Sequence, residues 1–153
     1  MAKILALDLG NVWTGVAISD PLQHLARPLR TVKTKDLIEQ LTLIFAQDKI
    51  ETVVVGLPIT SKAGLSQQTA QIIAQKEALE KQFPQCAWTL FNERFTSQQA
   101  AMLQRELGKK SSGKKEKEES HSLAAAFLLD AFLATHQQAR SDDDEDDANG
   151  STV

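Results

Sequence analysis

The sequence predicts an α/β protein: a mixed five-stranded sheet in the order β-β-β-α-β-α-β-α-α, with helices on both faces. Three observations predict it. Two apolar stretches, residues 3–9 and 12–19, flank Gly10-Asn11, which is a hairpin signal. A helical period from Asp36 leads into "TVVVGLP", a short β-branched run of the kind found in fully buried strands. The chain then repeats helix and strand and closes on a long helix. Right-handed crossovers set the fourth and fifth strands parallel to the first.

The elements follow in order. "RPLRTVK" continues the opening meander as a third strand. Leu37, Ile38, Leu41, Ile44 and Phe45 recur at helical spacing. Gly56 and Pro58 end the "TVVVGLP" strand. Residues 65–82 read as a helix with Ile72, Ile73 and Leu79 on its apolar side, and "CAWTLF" as a further strand. Residues 97–107 read as a short helix, which Thr96 could cap with Gln99 completing a capping box. "GKKSSGKKEKEES", residues 108–120, is polar, lysine-rich and interrupted by glycine, and reads as a flexible loop. "SHSLAAAFLLDAFLATHQQ" is the closing helix, with Ser120 at its N-cap.

A chain of 153 residues suggests one domain, here residues 1–140. It is 42% hydrophobic and 24% charged, as ordinary globular proteins are. No apolar run approaches the ~18 residues of a membrane span. Asp8 interrupts the first apolar run and no small-residue cleavage site follows it, so a signal peptide is not expected. Cys86 is the only cysteine, which excludes a disulfide framework and a cysteine zinc site. A cytoplasmic location and no membrane partner are expected. The net charge of −3 hides an asymmetry. Residues 141–153, "SDDDEDDANGSTV", hold six of the 20 acidic residues, leaving 14 against 17 basic ones in the body. This tail has almost no apolar surface to bury and reads as a disordered, solubilising extension, although it could compete with nucleic acid.

Asp8 is a carboxylate inside an apolar strand, where such groups persist only when paired or bound to a cation. It falls at the carboxyl end of the first strand, where open α/β sheets place ligand chemistry. Glu93 follows the fifth strand and should reach the same edge, while His121 stands at the head of the closing helix. Two carboxylates and an imidazole suit Mg²⁺ or Mn²⁺. Two such ions about 3.5–4 Å apart suit phosphodiester hydrolysis. Lys62, Arg94, Lys109, Lys110, Lys114 and Lys115 are candidate contacts to a nucleic-acid backbone.

Each residue also has a plainer reading. Asp8 before Gly10 could hold a turn, Glu93 could pair with Arg94 at the surface, and His121 could face solvent. The lysine loop could be a solvated connector, partly neutralised by Glu116, Glu118 and Glu119. His24 and His136 read as surface residues, and Cys86 as a small buried hydrophobe opening its strand.

Four blocks together resemble the YqgF/RuvX-like family, relatives of Holliday junction resolvases with an RNase H-like fold. They are "LDLGNVWTGVAISD", "VVVGLPITSKAG", "NERFTSQQA" and "SHSLAAAFLLDAFL", in that order, over roughly residues 3–135. The resemblance implies a metal-dependent nuclease processing the 5′ end of the small-subunit (16S) ribosomal RNA precursor, or a resolvase of branched DNA. It carries the metal-site role onto Asp8 and Glu93, with His121 at the family's third acidic position. Three departures stand out: Trp13 where the family usually has Arg, Asn92 where it has Asp, and His121 for a carboxylate. They imply a weaker Mg²⁺ site or a preference for Mn²⁺. Trp13 could stack on a base or fill core space. His121 would act as ligand or as general base, a role that needs the neutral imidazole favoured at a helix N-terminus. Two other classes fit parts of the sequence. A nucleotide binder of the actin superfold shares the Asp-x-Gly opening but needs two such domains. A nucleic-acid-binding module with decayed catalysis would explain the three departures.

Overall fold

The computed structural model describes residues 2–57, 67–92 and 120–136. Five strands form one sheet: β1 (Lys3–Asp8), β2 (Trp13–Ser19), β3 (Ala26–Lys33), β4 (Ile50–Leu57) and β5 (Ala87–Asn92). Their order is β3-β2-β1-β4-β5. β2 runs antiparallel to β1 and to β3, whereas β4 is parallel to β1 and to β5. The mixed sheet and both predicted crossovers are therefore present. A 3₁₀ turn (Thr34–Asp36) leads into α1 (Leu37–Gln47), and α2 (Gln67–Gln82) joins β4 to β5. A last helix, α3, covers residues 120–136.

Strand alternation divides the core into two layers. Leu5, Leu7, Val16, Ile18, Val53 and Val55 face α1 and α2, meeting Leu37, Leu41, Ile44, Ile72 and Leu79. Ile4, Ala6, Ala17 and Val54 face the other way, onto Ala125, Leu128, Leu129 and Leu133 of α3. Because β1 is central and covered on both faces, its sequence runs apolar without strict alternation.

Several local expectations are corrected. Ile38 is 49% exposed, because the buried stripe of α1 is Leu37, Leu41 and Ile44. Ile73 is only half-buried. Cys86 precedes β5 instead of opening it, and burial pushes its half-buried thiol up. Ser120 is itself helical, so it is not the cap foreseen for the closing helix. His136 is half-buried and stacked on Phe132, with ring centroids 5.6 Å apart. The proposed helix 97–107, the lysine loop and the acidic tail lie outside the described residues. Among the described residues no helix is long and apolar enough to cross a membrane.

Candidate active site

Asp8 ends β1, half-buried between Leu7 at 0% and Leu9 at 5% exposure. Its place in the alternation is with Ile4 and Ala6, so its side chain leaves the sheet on the α3 side. Across the antiparallel pair its partner is Gly15. Paired residues share a face, with Cα atoms roughly 4.5–5.5 Å apart. Continuing the Leu7–Val55 register by one residue sets Gly56 on the other flank, itself paired with Phe91. Neither immediate neighbour in that row puts a side chain beside the carboxylate.

Gly15 is where α3 reaches the sheet. A Cβ built on it would run into the carbonyl of His121 and stand 2.9 Å from the amide nitrogen of Ser122. Only a residue without a side chain permits this approach, the close-packing use of glycine inside a strand. The contact brings the His121 backbone next to the strand pair that carries Asp8. His121 also precedes Ala125, Leu128 and Leu129 by four, seven and eight positions, so it continues the sheet-facing stripe of α3. It is half-buried. Two of the three proposed metal-site residues thus converge on one face at one end of the sheet.

The third, Glu93, lies outside the described residues, as do Lys62, Arg94, Lys109, Lys110, Lys114 and Lys115. β5 ends at Asn92, paired with Leu57 at the carboxyl end of β4. Asn92 therefore sits at the same end of the parallel strands as Asp8. Among the described residues no three His, Cys, Asp or Glu side chains cluster tightly enough to hold a metal.

Trp13 opens β2 on the Asp8 face and is half-buried. Its cross-strand partner is Lys33, whose Nζ lies 6.0 Å from the indole centroid. The hairpin between β1 and β2 is tied to the end of β3. Thr34 donates its backbone N–H to Val12 (2.9 Å) and its hydroxyl to the Gly10 carbonyl (2.7 Å), and shares a hydroxyl hydrogen bond with Thr14 (2.9 Å). Sequence reasoning missed Gly15 and Lys33. The first had a signal, a glycine interrupting "WTGVAIS"; the second had none, because its role depends on register.

A family model described as RuvX, Holliday junction resolvase, matches residues 2–135. A Rubrobacter xylanophilus protein named "Putative pre-16S rRNA nuclease" is 36% identical over 131 residues, covering 86% of this chain and 91% of its own. A protein of the same name from Christiangramia forsetii is 35% identical over 133 residues, covering 87% and 98%. Among solved structures, T. thermophilus RuvC in complex with Holliday junction substrate gives a TM-score of 0.54 at 16% identity, covering 90% of this chain and 96% of that one. This last likeness establishes the shared RNase H-type fold. With four sequence blocks in order, a matching sheet and close relatives over nearly its whole described length, the chain belongs to the RuvX family.

Proposed function

We propose that the chain is a metal-dependent nuclease that hydrolyses phosphodiester bonds, with the 5′ end of the 16S ribosomal RNA precursor as its substrate. One observation carries the reading: Asp8, at the carboxyl end of a central parallel strand, shares its face with His121, brought there by the Gly15 contact. The relatives named as pre-16S rRNA nucleases supply the substrate.

The donors fit a divalent cation in kind: a hard carboxylate oxygen from Asp8 and an imidazole from His121, with Glu93 following the end of β5. These three would hold two Mg²⁺ or Mn²⁺ ions, which when bound supply a water of lowered pKa and charge neutralisation at the attacked phosphate. The chain's own groups do the rest. Asp8 anchors the site to the rigid centre of the sheet. His121, where it is not a ligand, accepts a proton from the attacking water as the neutral imidazole. Arg94 and the lysines at 62, 109, 110, 114 and 115 hold phosphates. A cytoplasmic location belongs to the same proposal.

Action on branched DNA is the second reading, favoured by the family's description as a Holliday junction resolvase. The deciding experiment offers 16S precursor RNA and a four-way DNA junction to the full chain with Mg²⁺ and with Mn²⁺. Cleavage should be lost in Asp8→Asn and Glu93→Gln while both variants stay folded by circular dichroism. A wild-type chain that binds both substrates but cuts neither would make it a binding module, and an Asp8→Asn variant that cuts normally would remove Asp8 from the chemistry.

A further inference from the structure

The two tryptophans of the chain sit in opposite environments. Trp88 is 7% exposed and its indole N–H donates to the Phe83 carbonyl at 2.9 Å, so it is a core residue. Trp13 is half-buried at the rim of the sheet, on the face of Asp8, two residues before Gly15. That spacing is about 6.6 Å along the strand. Lys33 is exposed beside it, its ammonium at 6.0 Å from the ring centroid. The backbone under the pair is held by the three Thr34 hydrogen bonds and by Gly10, where an added Cβ would strike the Trp13 carbonyl. A half-buried indole at the first residue of β2, with a lysine ammonium beside it, is a preformed stacking surface one step from the proposed cleavage centre.

We propose that Trp13 and Lys33 form a platform that stacks one unpaired nucleobase beside the bond to be cut, so that the enzyme selects single-stranded segments over continuous duplex. In a duplex both faces of every base are already covered by neighbours, whereas an unpaired base offers a free face to an indole. Lys33 adds a cation for the adjoining phosphate. The platform deepens the nuclease reading and rests on Asp8 as its centre.

The test uses tryptophan fluorescence of the full chain in EDTA, so that binding is read without turnover. The probes are a single-stranded RNA, the DNA of the same sequence, and the fully paired duplex of each. Single strands should quench emission and duplexes should not. Trp13→Phe, which leaves only Trp88, should lose the quenching while the Trp88 emission reports an intact core. Trp13→Ala should weaken single-strand binding roughly 5- to 150-fold, the loss of one stacked base. Lys33→Ala should lower the salt dependence of binding. Quenching by RNA, DNA or both supports the platform and tells which strand it takes. Equal quenching by duplex and single strand, or unchanged single-strand affinity in Trp13→Ala, overturns it. The two readings fail separately: binding that depends on Trp13 without cleavage removes only the nuclease, and cleavage without a Trp13 response removes only the platform.

Discussion

Replacing Gly15 by Ala should damage the site more than the fold. The new Cβ would stand 2.9 Å from the Ser122 nitrogen, with the His121 carbonyl nearer still. Ordinary contact needs about 3.5–4.0 Å, so the amide must retreat by roughly 0.6–1.1 Å and the carbonyl further. Further along α3, Leu128 and Leu129 are fully buried and Leu133 is 1% exposed, which pins the helix there. The displacement is then a tilt that lifts residue 121 away from the Asp8 row. Overpacking of this kind costs about 1–3 kcal/mol, which lowers Tm by roughly 2–4 °C per kcal/mol in a chain of this size. A misplacement of about 1 Å in a catalytic constellation can cost about a hundredfold in rate. Thermal unfolding and cleavage of the precursor RNA, measured on the same preparation, should therefore show a modest fall in Tm beside a fall in kcat of that order. A Gly15→Ala chain with wild-type Tm and wild-type kcat would refute the close contact and the convergence built on it.

Leu128→Ala should show the reverse pattern: it empties a fully buried position and costs about 2–5 kcal/mol in urea unfolding, with cleavage below the transition changed only a few-fold. His121→Asp puts a carboxylate at the head of α3 and should keep or raise activity in Mg²⁺; a loss in both metals would count against His121 as a ligand. Asp20 accepts the backbone N–H groups of Leu25 (2.8 Å) and His24 (2.7 Å), and the Leu25 bond foremost holds its carboxyl below the usual Asp range. A depressed folded pKa contributes stability above the unfolded value and loses it as pH falls through the folded one. A carboxyl NMR titration should therefore place the Asp20 midpoint below that of an unfolded peptide, and a midpoint at or above it would contradict the turn.

Much of this architecture was legible because long periods survive local detail. The stripe Leu37–Leu41–Ile44 and the run Val53–Val54–Val55 are strong signals, and the two crossovers follow from their order. Asp8 was legible as an anomaly, a charge where the pattern wants an aliphatic residue. Its surroundings were harder to read. The sequence reading supplied a cation to make Asp8 tolerable, but the structure adds that the row beside it is made of glycines. That leaves space for the approach of α3. Ile38 shows the opposite failure: an apolar residue at helical spacing says nothing of which side of a wide stripe stays open to solvent.

Lys33 was illegible for a reason that also strengthens its role. Counted back from the β2–β3 turn, where Ser19 pairs with Ala26 and Ala17 with Pro28, an unbroken ladder would set Val32 opposite Trp13. The register shifts between Val16 and Ala17, because Leu29 is an extra residue on β3. A one-residue slip moves every later side chain of that strand to the other face. The bulge therefore does two things at once. It turns Val32 into the core layer with Leu5 and Val16, where it is 8% exposed. It also turns Lys33 onto the face of Trp13 and Asp8. Pro28, which has no N–H to donate, sits beside the irregularity on an edge strand that tolerates it. Deleting Leu29 should restore the unbroken ladder, exchange Val32 and Lys33 between faces, and lower the salt dependence of single-strand binding as Lys33→Ala does. If the deletion folds and the salt dependence stays that of the wild type, the cation contributes nothing to the platform and the indole acts alone.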